Sequence, residues 1–481
     1  MCPEMAEQIL SENLTLKGVV RMMKYGLRIV AVALMCFGGA LQAAGAEEGG
    51  PAAPLHLSGF WSIETGQMVD YWMVGINIKR QPLLRTYFNV GLSKQLSERL
   101  QIHASVEGKM YYNTFDKRYA QGVEAFILPT MYYSFYFDRM YAVYSFGESA
   151  SPSLQFTVGY FPFKYNPDVR DLGEYLYRSG TYPAFLVNDF DYPQARLAGL
   201  KVSSNLFGAL HQDLLLTLEA ERVPFFDLNA GYIVSYDVGK FLQIGAGGMY
   251  HSLWPANSEF TSPHDLTNYY LKNPVRDAVS GLYSGDTAYY TYAGLKLMGR
   301  FSFDPKRIFN SSTDDFGILG KEDLKLYGEG AVLGVADYPA SAGTDNNTYG
   351  YDTLMHKMPL MLGFNFPAFK ALDVLSAEFE WYGCTYPNSY EYKFESPIIP
   401  VPVRPEKGGS PLLDPHYYAV GDNWKWAVYA KKNFKSGVYL VGQIARDHIR
   451  NETPIASNID REEALRTHKA WFWEIKAGYQ F

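Results

Sequence analysis

The chain has 481 residues, a net charge of -7 and 19% charged residues. This acidic balance argues against nucleic acid as a partner, because nucleic-acid binding relies on clustered basic side chains. No apolar run reaches the roughly 18 residues of a membrane helix, which excludes a helical transporter. Aromatic residues and glycine are abundant, with 39 Tyr, 30 Phe, 8 Trp and 43 Gly. The composition therefore leaves β-rich classes open, in water or in a membrane.

Residues 1–46 have the order of an export leader. The short apolar run Ile29–Phe37 follows basic residues and leads into the small residues Ala44–Ala46. This arrangement is typical of a secretory signal peptide. Met22 and Met23 stand just before the basic residues, so either is an alternative translation start. We expect an exported protein from which the leader is cleaved.

Residues 47–481 are predicted to form a single domain. Removal of the leader leaves 39 basic and 47 acidic residues, a net charge of -8, and Cys384 as the remaining cysteine. An intramolecular disulfide and a cysteine-based metal site are then excluded. The sequence has no histidine pair at metal-ligand spacing and no phosphate-binding or nucleophile motif. We expect no metal, no cofactor and no enzymatic activity.

From residue 55 onward, segments of about ten residues alternate apolar and polar side chains. Ten residues is about the length that a tilted strand needs to cross a bilayer. Charged residues on one face and apolar residues on the other suit an antiparallel up-and-down barrel whose outside meets lipid. We predict an all-β transmembrane barrel of sixteen strands, with 14 or 18 as alternatives: 55–64, 84–93, 99–111, 129–147, 153–163, 195–204, 212–222, 228–238, 241–251, 287–303, 323–333, 357–367, 373–382, 423–433, 437–446 and 471–481.

The connections between these segments alternate in length. Short turns such as 94–98 and 434–436 alternate with long loops such as 164–194 and 383–422. This polarity is typical of outer-membrane barrels, in which the long loops lie outside the cell and both termini lie in the periplasm. Residues 304–322 are long where a short turn is due. Either that turn carries an insertion, or the strand count is wrong by one hairpin.

The last strand, 471–481, carries the most specific pattern. Trp473, Ile475, Tyr479 and Phe481 share one face of it, and polar residues occupy most of the other. The pattern resembles the C-terminal assembly signal of Gram-negative outer-membrane proteins. Together, strand number, loop polarity and closing strand resemble the general porins. A soluble β-rich secreted protein is the competing interpretation.

The resemblance implies a location in the bacterial outer membrane. It implies lipids, lipopolysaccharide, the barrel assembly machinery and small hydrophilic solutes as partners, and it leaves a homotrimer open. In general porins the third long loop folds into the barrel and narrows the pore, which here corresponds to 164–194. Charges of both signs on that loop would sort ions in a narrow passage: Lys164, Asp168, Arg170, Asp171, Glu174 and Arg178.

Two further interpretations of this loop follow from its sequence. Pro167 and the acids after it favour one helical turn over 168–174. The competing interpretation of the whole segment is an ordinary exposed loop whose charges are solvated.

Inward positions of the predicted strands supply the opposite wall of such a constriction: His103, Glu107, Lys109, Lys296, Arg300, Lys325, Glu329, Glu378 and Glu380. Their signs are mixed, so a dedicated anion channel is not indicated. The acids of this wall, together with Glu474 and the negative net charge, favour a weak preference for cations.

The function that these observations favour is a porin-like channel for passive diffusion of small hydrophilic solutes and ions. The alternative is a substrate-specific channel, for instance for oligosaccharides, with an aromatic track formed by Tyr132, Tyr133, Tyr136, Tyr141 and Tyr144. An outer-membrane enzyme or adhesin is the third class. A barrel hydrolase needs serine, histidine and a carboxylate or amide at one site, and the sequence shows no such grouping.

Overall fold

The computed structural model describes fourteen parts of the chain: residues 55–69, 82–113, 130–148, 151–177, 195–218, 226–254, 256, 269–280, 282–289, 293–309, 316–336, 353–383, 424–448 and 470–481. Most of these residues lie in antiparallel strands. In these parts of the chain no helix has both the length and the apolar composition that crossing a bilayer requires. The predicted leader and Arg178 lie outside the described residues.

Sixteen strands close into one barrel. In chain order they are β1 (His56–Met68), β2 (Pro82–Gln95), β3 (Leu100–Asn113), β4 (Thr130–Glu148), β5 (Ser151–Phe163), β6 (Ala195–Phe207), β7 (Leu210–Leu218), β8 (Leu228–Val238), β9 (Leu242–Trp254), β12 (Gly294–Phe303), β13 (Leu326–Val332), β14 (Pro359–Asn365), β15 (Val374–Tyr382), β16 (Trp424–Asn433), β17 (Val438–Arg446) and β18 (Phe472–Gln480). Each pairs with its neighbours in chain order, and β1 pairs with β18. The predicted sixteen-stranded antiparallel barrel is confirmed.

Four smaller elements lie between barrel strands in the described parts of the chain. The strands β10 (Tyr269–Arg276) and β11 (Tyr283–Tyr289) form a separate two-stranded sheet in the connection from β9 to β12. Helix α1 (Lys306–Phe309) follows β12, and a 3-10 helix, Leu354–Lys357, precedes β14.

Two details of the predicted connections are settled by these elements. Residues 287–289 belong to β11, so the strand predicted over 287–303 begins only at Gly294. The long connection 304–322 is an insertion at the short-turn end that adds no strand to the barrel, because β12 pairs directly with β13.

Barrel closure depends on the C-terminal strand. Gly59 and Phe481 exchange two backbone hydrogen bonds of 3.0 Å each, and the pairing continues to Met68 and Phe472. Closure leaves no strand edge with unpaired N–H and C=O groups, which lipid could not satisfy.

The outer face of the barrel is apolar. Large side chains that point outward remain exposed, for example Trp61 at 46%, Phe135 at 66%, Leu362 at 50% and Ile475 at 51%. Charged residues at the alternate positions point inward, such as Lys476, which is fully buried. This is the inverse of a soluble barrel, and it is the distribution that a lipid environment stabilises.

Part of the interior is a packed apolar core. Its buried members come from strands β5–β9 and β12–β14, from the residues that flank these strands and from the loop after β5: Phe161, Phe163, Tyr165, Val169, Leu172, Tyr175, Leu176, Tyr177, Ala195, Leu215, Ile233, Met249, Met298, Tyr327, Ala331, Leu333 and Met361. The barrel therefore encloses a filled region against one side of its wall.

We expect a charge on the outer face to destabilise the barrel according to its depth. Ile475 lies near the middle of β18 and points outward. Its substitution Ile475→Lys should cost about 2–4 kcal/mol of unfolding free energy in lipid vesicles, because a lysine at the bilayer centre loses its hydration. Leu55→Lys, at the exposed start of the described chain, is the control and should cost about 0–1 kcal/mol. Equal costs at both positions would contradict a membrane-spanning outer face.

Candidate functional site: a loop that crosses the lumen

Residues 164–177, here called the lumen loop, leave the end of β5 and enter the barrel. They form hydrogen bonds with side chains of β12, β13 and β15, and β15 is eight strands from β5 in either direction around the ring. The loop therefore crosses the lumen to the wall directly opposite its origin. Most of its side chains are buried, including Val169, Leu172 and Leu176 at 0–2% exposure.

The carboxylate of Glu378 on β15 receives the middle of the lumen loop. Its Oε1 accepts the backbone N–H of Arg170 at 2.6 Å, and its Oε2 accepts those of Asp171 at 2.9 Å and Leu172 at 2.8 Å. The hydroxyl of Tyr327 donates to Oε1 at 2.8 Å. Three successive N–H groups that converge on one carboxylate form an anion-binding concavity, here occupied by a side chain of the same protein.

Glu329 on β13 likewise accepts hydrogen bonds, in this case from both ends of the lumen loop. Its carboxylate accepts the side-chain amide of Asn166 at 3.0 Å and the backbone N–H groups of Glu174 at 3.1 Å and Tyr175 at 2.9 Å. Tyr165 donates its hydroxyl to Glu329 at 2.5 Å. These bonds connect the entering and returning parts of the loop through one buried acid.

The Tyr165 hydroxyl also accepts the N–H of Leu176 at 3.1 Å. Burial raises the pKa of this phenol well above its ordinary value, and the neighbouring carboxylates of Glu329 and Glu174 raise it further. Tyr165 therefore stays protonated and remains a donor to Glu329.

The return of the lumen loop requires left-handed backbone at Gly173 and Glu174, with φ of 92° and 62°. A Cβ on Gly173 would lie 2.9 Å from Met361 Cε and 3.3 Å from a carboxylate oxygen of Glu329, so Met361 would have to move, and the positive φ would strain any side chain there. Glu174 is fully buried, and its carboxylate accepts the N–H groups of Tyr165 and Asn166. Its charge stabilises the turn from inside the loop.

Two tyrosines extend the attachment to other strands. Tyr175 donates its hydroxyl to Glu380 on β15 at 2.7 Å, and the same carboxylate bonds His448 just after β17. The side chain of Tyr177 packs against β8. A Cβ on Gly231 of that strand would lie 2.2 Å from the Tyr177 hydroxyl. The absence of a side chain at Gly231 makes room for this contact.

The charged tip of the loop is also paired. Asp168 accepts a hydrogen bond from Ser302 at 2.5 Å and forms an ion pair with Lys325 at 3.2 Å. Burial would raise the pKa of Asp168, but Lys325 and the Ser302 hydroxyl outweigh it and hold this pKa below its ordinary value. Lys164 donates to the carbonyl of Val169 at 2.6 Å.

Of the predicted loop charges, the structure places Asp168 against the barrel wall, whereas Lys164 and Glu174 bond to the loop itself. The helical turn predicted over 168–174 is wrong: the segment consists of turns and bends. Its backbone N–H groups point at Glu329 and Glu378. In a helix, the same N–H groups would bond to the carbonyls of the helix itself. Arg170 and Asp171 stay partly exposed, whereas Asp168 and Glu174 are buried.

The predicted wall residues fall into two groups. Lys296, Arg300, Lys325, Glu329, Glu378 and Glu380 lie around the lumen loop, where Lys296 donates to the carbonyl of Leu176 at 3.4 Å and Arg300 is the cross-strand partner of Glu329. His103 and Glu107 lie on β3, away from the loop. The side chain of Lys109 is outside the described part of the structure.

A row of charges on the inner face of β1–β4, β6 and β18, here called the charged wall, faces the other part of the lumen. Asp138 is central to it: its carboxylate accepts bonds from Asn89 at 2.8 Å and Ser105 at 3.0 Å, and pairs with Arg139 at 2.7 Å and Arg196 at 3.2 Å. A register shift in the β3–β4 pairing at Ser105 lets the adjacent Asp138 and Arg139 both point inward.

The charged wall continues towards β18. Tyr87 donates to Glu107, and Arg85 pairs with Glu64 and, at 3.7 Å, with Glu474. Lys476 pairs with Glu64 at 2.9 Å.

Acids and bases on this wall differ in their access to water. The side chains of Glu64, Glu107 and Asp138 are each 1% exposed, whereas those of Arg85 and Arg196 are 16% exposed and that of Arg139 is 26% exposed. These three acids lie behind the guanidinium groups, which face the lumen, whereas Glu474 is 12% exposed and Lys476 is fully buried. These arginines were missed in the sequence. The adjacent charges Asp138-Arg139 in an otherwise alternating strand were the signal that could have revealed Arg139.

Comparisons with known proteins support no assignment of a family. No family model matches the chain, and no curated protein matches it. Among solved structures, Salmonella typhi OmpF in complex with daunomycin aligns over 89% of this chain and 98% of its own, with 11% identity and a TM-score of 0.44. A mutant porin of Rh. blastica aligns over 89% and 100%, with 9% identity and a TM-score of 0.40.

The architecture rests on the strands of this chain rather than on those weak alignments. Sixteen antiparallel strands close on themselves, the outside is apolar, and a loop folds into the interior. The chain is a porin-like membrane β-barrel.

Removal of the Glu378 carboxylate should release the lumen loop. In Glu378→Ala three buried N–H groups lose their acceptor, which should cost about 3 kcal/mol or more. We expect trypsin to cut the folded variant after Arg170, while the wild-type barrel resists. Glu98→Ala, in an exposed turn, serves as the control. A variant as resistant as wild type would show that Glu378 does not hold the loop.

Acid should loosen the tip of the loop through Asp168. Because its folded pKa lies below the ordinary value of 3.8, the stabilisation is complete above that value and is lost as the pH falls through the folded pKa. Asp168→Asn should therefore increase trypsin cleavage after Arg170 at pH 7. Both proteins are incubated at decreasing pH and digested briefly with a protease that is active in acid. Below about pH 4 the cleavage of the wild-type loop should approach that of Asp168→Asn. A wild type that keeps its full advantage over Asp168→Asn at every acidic pH at which the barrel stays folded would contradict this assignment.

Proposed function

We propose that the protein is an outer-membrane channel through which small hydrophilic solutes and ions diffuse passively. The observation that carries the proposal is the division of the lumen: the lumen loop packs against one side, and the charged wall faces the remainder with its arginines towards water. Water-accessible charges inside a barrel with an apolar exterior suit an aqueous passage.

The proposal includes an orientation and a set of partners. The short turns and both chain ends face the periplasm, and the lumen loop enters from the outside. Outer-membrane lipids and lipopolysaccharide surround the barrel, and the assembly machinery recognises the strand that ends at Phe481. The homotrimer stays an open alternative.

Ion preference is the part of the proposal that the geometry changes most. The expected weak preference for cations counted Glu378 and Glu380 as free wall charges, but both accept hydrogen bonds from the lumen loop. The side chains with most water contact on the charged wall are arginines. We therefore propose that the preference for cations is small or absent, and that Arg85, Arg139 and Arg196 attract anions into the passage.

A substrate-specific channel is the second candidate. Of the tyrosines in the predicted aromatic track, Tyr141 lies inside and stacks on His103 with a centroid distance of 4.7 Å, whereas Tyr144 points outward and is 37% exposed. The side chains of Tyr132, Tyr133 and Tyr136 lie outside the described residues. Of the two rings of this track that the structure describes, one faces the lumen; we prefer passive diffusion because the arginines of the charged wall face water.

Planar-bilayer recording tests the proposal. Purified, folded protein should give ohmic current steps, and a salt gradient should give a small reversal potential. The variant with Arg85, Arg139 and Arg196 replaced by Gln should shift that potential towards cations, because the buried acids lose their neutralising partners. Arg99→Gln, in an exposed turn, should leave it unchanged. Folded protein without any conductance would refute both channel candidates, and current blocked by increasing oligosaccharide would favour the second.

A further inference from the structure

The insertion between β12 and β13 is folded against the short-turn end of the barrel. Lys306 is buried, pairs with Asp304 at 2.9 Å and donates to the carbonyl of Asp323. The Asp323 carboxylate accepts the N–H groups of Gly320 at 2.7 Å and of Phe369, in the next turn, at 3.2 Å. The insertion is thereby joined to the neighbouring turn.

Asn365, at the end of β14, fixes the backbone at the end of the insertion around Glu322 and Lys325. Asn365 donates its side-chain amide to the carbonyl of Glu322 at 3.0 Å, and it exchanges backbone bonds of 2.9 Å with Leu324 and Lys325. Leu324 adopts a left-handed φ of 63°. This reversal allows the side chains of Glu322 and Lys325 to meet.

These two side chains contact the tip of the lumen loop, which reaches them from the opposite end of the barrel. Arg170 pairs with Glu322 at 3.2 Å, Glu322 with Lys325 at 2.9 Å, and Lys325 with Asp168 at 3.2 Å. The four charges alternate in sign, and their side chains are 9–21% exposed. Each interior member of the chain of charges thus contacts two opposite charges in a partly desolvated setting, where such pairs are stronger than on a surface.

We propose that this insertion is a second anchor of the lumen loop, and that Glu322 and Lys325 are positioning residues that set how far the loop tip projects into the passage. Glu329 and Glu378 hold the middle of the loop from the wall, whereas the insertion holds its tip from the short-turn end. The proposal rests on the proposed channel function, because the effect is one on the width of the passage.

Bilayer recording of neutral variants tests the anchor. Glu322→Gln should make partial closures of the channel roughly three-fold more frequent, as expected for pairs of this exposure. Arg170→Gln should act in the same direction, and the effects of the two changes should be less than additive in the double variant, because both remove the Arg170–Glu322 pair. Lys325→Arg keeps the charge and should behave as wild type. The exposed neighbour change Lys321→Gln is the matched control.

A spectroscopic measurement separates this proposal from the channel function. A nitroxide label on Pro167→Cys, at the exposed loop tip, is followed in protein in which Cys2, Cys36 and Cys384 are replaced by Ser. Glu322→Gln should increase its motion, and Lys321→Gln should not. Unchanged motion and additive closure frequencies would overturn the anchor. A mobile label in Glu322→Gln without any wild-type conductance would leave the anchor standing and refute the channel.

Discussion

A carboxylate buried inside a membrane barrel has to be neutralised or hydrogen-bonded, and this constraint organises the whole interior. Glu378 meets it with three backbone N–H groups of the lumen loop and a tyrosine hydroxyl. Glu329 meets it with two N–H groups, an amide and a second tyrosine. The requirement is mutual, because loop N–H groups inside the barrel are as costly to leave unpaired as the acids are. Loop and wall therefore stabilise each other.

The position of these acids explains the asymmetry of the lumen. They lie on β13 and β15, across the barrel from the strand that leads into the loop, so the loop has to span the interior to reach them. Its apolar side chains then fill the space between, and the passage is displaced towards β1–β4 and β18. The acids of the charged wall are also paired, but their partners are arginines that face the lumen. The same rule thus gives a packed apolar region on one side and a charged surface on the other.

The repeating parts of the structure could be predicted from sequence, and the singular ones could not. A ten-residue segment that alternates apolar and polar residues can cross a membrane as a strand of a closed barrel. The number of such segments predicted the strand count, and their alternation predicted closure and the inward face. The entry of the loop into the lumen was inferred by resemblance. Its attachment depends on pairs separated by more than 150 residues, such as Asn166 with Glu329, which no local pattern contains. The left-handed backbone at Glu174 and the register shift at Asp138 likewise depend on contacts formed only in the barrel.

Cross-linking measures the crossing of the lumen most directly. Ser302 on β12 and Asp168 on the loop tip are hydrogen-bonded at 2.5 Å, although 134 residues separate them. With Cys384 replaced by Ser, the pair Asp168→Cys and Ser302→Cys should form a disulfide in the folded barrel, detected by mass spectrometry of its peptides. The pair Asp168→Cys and Ser62→Cys, on the charged wall, should not. Two freely alkylated cysteines in the first pair, in a barrel that is otherwise folded, would show that the loop does not reach the far wall.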